Sequence, residues 1–215
     1  MSAIRHSSPN VPLPYPSVSH THSCTPSLLL NVKDTTRKGA KMNKKIEAAF
    51  NEHLNAELYS SYLYLSMANY FIAKNLEGMA NWMRIQTEEE RLHGLKFVDF
   101  INNRGGRVVL TQIDTPKFDW DSPLAAFQEA YEHELLISSK INTLVNLAVK
   151  EADHAANTFL QWFVNEQVEE EANALRIVER LKLIGDNGPG LLMIDDQLGQ
   201  RTLTAPAAAG EAGAA

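Results

Sequence analysis

Four segments of this chain carry an apolar stripe that is interrupted near its middle by a carboxylate. Within each stripe the residues recur at alternating spacings of three and four, which places them on one face of an α-helix, the face that packs against neighbours. The interrupting carboxylates are Glu57, Glu90, Glu134 and Glu170. We therefore expect four acidic side chains to point into the interior of a helical protein.

These inward carboxylates require a positive partner. Burying one ionised carboxylate alone costs on the order of several kcal/mol, and four at one level would also repel each other. The stripes hold no Lys or Arg at that level. A bound metal ion is the simplest partner, and carboxylate oxygens with an imidazole and no thiolate favour iron or manganese over structural zinc. Carboxylates that bridge two such ions hold them a few ångströms apart, where the pair can pass electrons to dioxygen.

The most specific local signal for a metal site is the Glu-x-x-His segment at 90–93. Three residues make about one helical turn, so its first and last residues can reach the same ion. A lone Glu-x-x-His occurs in many helices without metal, but this one lies at the centre of an apolar stripe. In bundles that hold two iron ions, two helices each give one Glu and the other two each give Glu-x-x-His. Here Glu57 and Glu134 are the single acids, and the fourth helix offers Gln167 and Glu170 without a second His.

Five predicted helices position these side chains. Their expected ranges are A at 44–73, B at 77–103, C at 123–149, D at 153–184 and a short E at 190–200. The A–B and C–D connections are only a few residues long, which makes those pairs antiparallel. The B–C connection contains the strand-like segment Val108–Leu110 and is long enough to return along the bundle, so that B and C run parallel. The sequence thus predicts an all-α fold, a four-helix bundle with one long B–C crossover.

Both ends of the chain differ in composition from the body. Residues 1–41 are rich in Pro, Ser and Thr without a helical period, and we expect a disordered extension there. The extension resembles an organelle transit segment, or it reflects an over-extended reading frame, because Met42 is followed at once by a helical pattern. Residues 201–215 form a low-complexity tail. The folded domain is therefore expected at 42–200.

Charge and cysteine content narrow the function classes. Residues 1–41 hold five basic residues and one acid, so residues 42–215 carry a net charge of −10 within the formal total of −6. An acidic body argues against binding of nucleic acid and suits a cation. No window has the roughly 18 consecutive apolar residues that a membrane span needs. The one cysteine, Cys24, lies outside the body, which excludes a thiolate metal site there and fits a reducing compartment.

Residues 42–200 resemble the prokaryotic non-haem ferritins over essentially their full length. The segments that carry the resemblance are NAELYSSYLY at 55–64, EEERLH at 88–93, NRGGR at 103–107 and FLQWFVNEQ at 159–167. The resemblance implies a ferritin-like bundle with a short fifth C-terminal helix, assembled as a homo-oligomeric shell of twenty-four subunits. The implied location is the cytoplasm, or an organelle if residues 1–41 are a transit segment.

The function that this resemblance implies is iron storage. A ferroxidase centre inside each subunit would oxidise Fe²⁺ with dioxygen or hydrogen peroxide, and the shell would keep the product as a ferric mineral. The ligands implied for a first iron are Glu57, Glu90 and His93. Those implied for a second iron are Glu90, Glu134 and Glu170, with Gln167 beside it. A third iron near the pair would take Glu89, Glu166, Glu169 and Glu170. The resemblance also implies that Tyr64 is a one-electron donor and that Trp162 lies near the centre.

Several of these residues also have a purely structural interpretation. Tyr64 and Trp162 lie on or beside core stripes and would be packing residues in most proteins. The three acids added for the third iron would form a solvated acidic face in most helices. His53, His133 and His154 fall off the stripes, and we expect them at the surface.

Two other function classes are weighed against iron storage. A di-iron peroxidase or oxygenase would be expected to keep a second Glu-x-x-His, which this chain lacks. A structural ferritin subunit without an active centre would be expected to lack the complete ligand set that this chain has. Haem is not expected, because Arg91 stands where bacterioferritins carry the Met that binds haem.

Overall fold

The computed structural model describes residues 41–203, and five α-helices make up most of this range. They are α1 Lys44–Ala73, α2 Glu77–Asn103, α3 Pro123–Lys150, α4 His154–Ile184 and α5 Gly188–Leu198. These bounds agree with the predicted helices to within two residues, and the all-α prediction is confirmed. No helix in the described range is long and apolar enough to cross a membrane. The predicted extension up to residue 40 and the predicted tail beyond 203 lie outside the described residues.

The connection between α2 and α3 runs along α1. The amide of Met42 donates to the carbonyl of Arg104, so the end of α2 lies beside the start of α1. Further along α1, the Asn51 amide group donates to the Arg107 carbonyl, and the Ser66 hydroxyl donates to the Lys117 carbonyl. The connection therefore travels the length of α1 before α3 begins, which makes α2 and α3 parallel.

The strand-like segment Val108–Leu110 of this connection does not form a strand. No neighbouring strand exists among residues 41–203 to pair with it, and an isolated extended segment has no ladder to stabilise it. Side chains of α1 bind its backbone instead. The amide of Val109 donates to Asn51 Oδ1 at 2.6 Å, and Asn55 Nδ2 donates to the carbonyl of Gln112 at 3.0 Å.

Side-chain caps fix where α3 and α4 begin. Ser122 caps α3, with its hydroxyl accepting from the amide of Ala125 and Pro123 in the first turn, where its missing N–H costs nothing. Asp153 caps α4 and also accepts two hydrogen bonds from Arg104, at 3.0 and 3.1 Å. This bidentate pair ties the end of α2 to the start of α4 and sets the relative height of the two helices.

Two apolar clusters fill the bundle, one towards each end, and a polar layer separates them. On α1 one cluster uses residues up to 56 and the other uses residues from 63, so Glu57 lies between them. The same division places Glu90 between the clusters on α2 and Glu134 between them on α3. On α4 it places Gln167 and Glu170 at that level. The four carboxylates therefore occupy one layer, as the stripes predict.

The short helix α5 folds back onto α2 and α4 of its own subunit. Ile194 is buried in the core, whereas Leu192 and Met193 are more than half exposed. The carboxylate of Asp195 accepts from the amide of Met79 at 2.7 Å. The contact is close, because a Cβ atom added at Gly78 would lie 1.7 Å from the carbonyl oxygen of Asp195. Residues 191–194 form an apolar run, Leu-Leu-Met-Ile, and only part of it is thus left for contacts between subunits.

Candidate metal centre

The four inward carboxylates are almost completely removed from solvent. Glu57, Glu90 and Glu134 are each 1% exposed, and Glu170 is 4% exposed. The apolar clusters above and below exclude water from this layer, so electrostatic interactions within it are strong. Isolated carboxylates would not persist there without compensation.

Glu57, Glu90 and His93 come together as a group that can hold a cation. Each offers one ligand atom, and these atoms all lie within 4.8 Å of one another. Glu57 Oε2 and Glu90 Oε2 are buried without a hydrogen-bond partner among residues 41–203, and His93 Nδ1 lies 3.5 Å from Glu90 Oε2. Two unpaired buried carboxylate oxygens beside an imidazole nitrogen need a proton or a cation between them. The donor set therefore fits a metal ion.

Glu134 and Glu170 approach the same layer from α3 and α4. The hydroxyl of Tyr64 donates a hydrogen bond to Glu134, and Gln167 Nε2 donates to Glu134 at 3.1 Å. Gln86 Nε2 donates to Glu170 at 2.9 Å, while Gln86 Oε1 is buried without a partner in the described range. Gln86 lies on the α2 stripe, but its type alone gives no reason to assign it to the site. Its contact identifies it as the residue that orients Glu170.

The pKa values of these acids show how strongly the layer disfavours negative charge. Burial, together with the charge of Glu134, raises the pKa of Glu170 to about 8. Burial raises the pKa of Glu134 to about 7, although hydrogen bonds from Tyr64 and Gln167 oppose the increase. Burial and the neighbouring carboxylates raise the pKa of Glu90 well above its usual range. A raised pKa means that these groups bind protons more readily than ordinary carboxylates do, and a metal ion can take the place of such protons.

The expectation that His53 and His133 are surface residues is wrong, while His154 is exposed as predicted. His53 Nε2 lies 2.8 Å from Glu57 Oε1, and His133 Nε2 lies 2.7 Å from the hydroxyl of Ser60. Burial alone would raise the pKa of Glu57, but the charge and hydrogen bond of His53 keep it below its usual range. Glu57 is therefore the acid of the layer that ionises most readily, and its negative charge helps to raise the pKa values of Glu90 and Glu134. The i, i+4 spacing of His53 and Glu57 is the sequence signal that would have revealed this pair.

The three outer acids lie at the edge of the layer and differ from one another. Glu169 is exposed, and Glu166 is partly buried. Glu89 is also partly buried, and its carboxylate accepts from Arg201 Nη2 at 2.5 Å. The structure thus brings Glu89 and Glu166 near the centre, and it adds Arg201, which the tail prediction did not single out.

Aromatic rings close the layer on two sides. Tyr64 is fully buried, and burial together with the charge of Glu134 raises the pKa of its hydroxyl well above the usual value. The Trp162 ring lies 5.3 Å from the His93 ring, nearly perpendicular to it, and Lys96 Nζ lies 4.2 Å from the Trp162 ring centre. Trp162 therefore packs against a candidate ligand and makes no hydrogen bond to the acids.

Comparison with known proteins gives the same family that the residues suggest. The model of the ferritin-like domain matches residues 47–184, a range that includes every acid of the layer. The chain belongs to the ferritin family. It is 43% identical over 160 residues to a bacterial non-heme ferritin of Bacteroides fragilis, a match that spans 74% of this chain and 99% of the relative. A bacterial non-heme ferritin of Campylobacter jejuni is 36% identical over 157 residues, covering 73% of this chain and 94% of the relative.

Solved structures of ferritins share the whole fold of this chain. The open pore ferritin of Archaeoglobus fulgidus is 51% identical and superposes with a TM-score of 0.75, covering 76% of this chain and all of that one. A form of that archaeal ferritin engineered to be closed superposes with a TM-score of 0.76 at the same identity. The ferritin bundle with a short C-terminal helix is therefore the fold of this chain.

The protonated acids predict how the stability of the metal-free protein depends on pH. Glu134 and Glu170 have folded-state pKa values of about 7 and about 8, against an ordinary value of 4.5. Their stabilising contribution is therefore fully present below about pH 4.5 and is lost as the pH rises through 7 and 8. We expect the free energy of unfolding in guanidinium to fall between pH 6 and 9 by on the order of a few kcal/mol.

A glutamine variant isolates one of these groups. Glu170→Gln should reduce the fall in stability between pH 6 and 9, because the neutral amide carries no proton to lose. Glu52→Gln, at an exposed position on α1, is the matched control and should leave the pH dependence unchanged. An identical pH dependence in the Glu170→Gln variant and the parent protein would show that Glu170 is not protonated in the metal-free layer.

Proposed function

We propose that this chain is an iron-storage subunit that oxidises Fe²⁺ to Fe³⁺ inside its bundle and passes it on to a ferric mineral. The observation that carries the proposal is the buried group of Glu57, Glu90 and His93, in which two carboxylate oxygens have no partner in the described range. Membership of the ferritin family supports the same conclusion. Iron is here the substrate of the centre and the cargo of the shell.

Each residue of the layer has a proposed role towards this substrate. Glu57, Glu90 and His93 bind one iron. Glu90, Glu134 and Glu170 bind a second iron, so Glu90 is shared by both ions. Gln167 holds Glu134 in place through the hydrogen bond at 3.1 Å. Two adjacent Fe²⁺ ions each give up one electron, so the pair supplies two electrons to dioxygen or hydrogen peroxide. The anionic ligands favour the more highly charged Fe³⁺ product.

Two further roles belong to the proposal. Tyr64 donates one electron to the oxidant, because it is fully buried and its hydroxyl contacts Glu134 directly. Glu89, Glu166 and Glu169, with Glu170, take a third iron on its way out of the centre. Glu89 and Glu166 are partly buried, and Glu169 is exposed. An ion bound by these acids would exchange with the solvent more readily than the two inner irons do.

Aerobic addition of Fe²⁺ tests the function. We expect a rapid rise in ferric absorbance that saturates near two irons per subunit, because the layer forms a paired site. Further additions should give slower oxidation, with the iron co-eluting with the protein in size-exclusion chromatography. Ferric hydroxide that precipitates and separates from the protein would contradict storage, even if the rapid phase is present.

Membership of the ferritin family and several exposed apolar residues support a proposal for the oligomeric state. We propose a closed homo-oligomeric shell of twenty-four subunits. Leu183, Leu192 and Met193 leave more than half of their surface exposed near α5, and contact with another subunit would remove this area from water. Light scattering coupled to size-exclusion chromatography should therefore give a mass close to twenty-four times that of one chain. A stable monomer or dimer at micromolar concentration would contradict the shell.

A further inference from the structure

The segment that follows α5 places a positive charge against the outer acids. Arg201 Nη2 lies 2.5 Å from Glu89 Oε2, and the Arg201 guanidinium carbon lies 4.8 Å from the centre of the Trp82 ring. Arg201 Nη1 is buried and has no hydrogen-bond partner among residues 41–203. Most of the Arg201 side chain is shielded from solvent, since it is only 22% exposed. The pair is therefore not an ordinary solvated surface ion pair.

Hydrogen bonds between α2 and the segment from α5 to Arg201 hold Arg201 in this position. The side chain of Asn81 donates to the carbonyl of Arg201 at 3.0 Å, which fixes the chain directly after α5 to the first turns of α2. Asp195, within α5, accepts from the amide of Met79 on the same part of α2. Trp82 and Glu89, which contact the Arg201 side chain, also belong to α2. All of these contacts of α5 and Arg201 are therefore made with one helix.

This contact occupies an acid that the proposed function assigns to the third iron. When a carboxylate oxygen accepts a hydrogen bond from a guanidinium, one of its lone pairs is occupied and its negative charge is balanced. A metal ion on Glu89 would lie a few ångströms from the guanidinium, and two cations at that distance repel strongly in a partly buried site. The positive charge of Arg201 acts on Glu170 as well, which lies deeper in the same group.

We propose that Arg201 is an internal counter-cation of the outer acids, which a third metal ion must displace from Glu89. The inference rests on the proposed function. Arg201 lowers the affinity of the third position most, because it contacts Glu89 directly and acts on Glu170 only through its charge, so the inner pair fills first. Because Arg201 directly follows α5, the docking of α5 on α2 controls how firmly the counter-cation is held. Arg201 is thus a positioning residue for iron transfer and does not contact the reacting pair.

Zinc binding to the metal-free, full-length protein tests this inference without oxidation chemistry. Calorimetric titration with Zn²⁺ should show the third ion per subunit binding about tenfold more tightly, or becoming detectable, in Arg201→Gln than in the parent protein. The affinity for the first two ions should change much less than the affinity for the third. Arg201→Lys keeps the charge, so it should stay closer to the parent protein than Arg201→Gln does.

Arg180→Gln is the matched control. Arg180 Nη2 donates to Gln197 of α5, so this change removes one positive charge and one contact of α5 away from the outer acids. It should leave the affinity for the third zinc unchanged. If Arg201→Gln fails to assemble, Asn81→Ala loosens the same segment with Arg201 retained and should strengthen third-zinc binding to a smaller extent.

The outcomes separate this inference from the proposed function. Unchanged or weaker binding of the third zinc in Arg201→Gln, or an equal increase in Arg180→Gln, would overturn the role of Arg201. The rapid oxidation of two irons per subunit should persist in Arg201→Gln. Absence of the rapid oxidation phase in the parent protein would contradict the proposed function, whatever the zinc titrations give.

Discussion

Replacement of Glu90 by Ala is expected to abolish the rapid phase of Fe²⁺ oxidation. Glu90 is the acid that the proposed arrangement shares between both irons, and its side chain is 1% exposed at the centre of the layer. Even the outer hydrogen-bond partners of metal ligands contribute about 10- to 100-fold to affinity or activity. Loss of a shared ligand should therefore lower the initial rate at two Fe²⁺ per subunit by at least about 100-fold. Stopped-flow measurement of ferric absorbance gives this rate.

Glu88→Ala is the control for that experiment. Glu88 lies two residues away on the same helix, is exposed, and pairs with Arg91 at 2.9 Å. Its removal changes the charge by the same amount without touching the layer, so the rapid phase should persist. A Glu90→Ala protein that oxidises its first two irons at the parent rate would place the ferroxidase centre elsewhere in the chain.

Gly78→Ala is expected to detach α5 from the bundle. The new Cβ atom would lie 1.7 Å from the carbonyl oxygen of Asp195 and 2.9 Å from the amide nitrogen of Gly199. Both are backbone atoms, so no change of rotamer can relieve the overlap. If α5 moves away, Ile194 and Leu198 lose their buried contacts, which are worth roughly 1.5–3 kcal/mol for each fully buried side chain. We expect a loss of about 3 kcal/mol or more in the free energy of unfolding.

Hydrogen exchange can locate the effect of Gly78→Ala. Amides of residues 188–203 should exchange much faster in the variant, while those of α1 and α3 should remain protected. Gly188→Ala is the matched control on α5 itself, because a Cβ atom there meets nothing within 4 Å. Equal protection of α5 in the two variants would mean that the close contact between α5 and α2 does not exist in solution.

The helices and the acidic layer could be predicted because both depend on local spacing. Each carboxylate sits on a stripe with a helical period, and such stripes face the core in almost any packing of amphipathic helices. The two buried histidines could not be found in this way. His53 on α1 and His133 on α3 lie beside the stripes, and they are buried because each of these helices packs against two others, α1 against α2 and α3, and α3 against α1 and α4. Packing against two helices covers a wider face than one stripe.

The other features that the sequence did not reveal depend on contacts between residues far apart in the chain. Arg201 is the first residue of the segment predicted to be a low-complexity tail, and only the return of the chain onto α2 brings it to Glu89, which is 112 positions away. The strand-like composition at Val108–Leu110 predicts a strand only if another strand is available for pairing. Here the side chains of Asn51 and Asn55 satisfy that backbone instead. Neither outcome follows from local composition.

The location of bound iron tests the central proposal most directly. Crystals of the protein soaked with Fe²⁺ under inert gas should show two peaks of anomalous scattering per subunit at the iron absorption edge, about 3.5–4 Å apart. One peak should contact Glu57, Glu90 and His93, and the other should contact Glu90, Glu134 and Glu170. Two such peaks in this layer are the result that we predict. A layer without iron, or iron bound only at the protein surface, would contradict the di-iron centre.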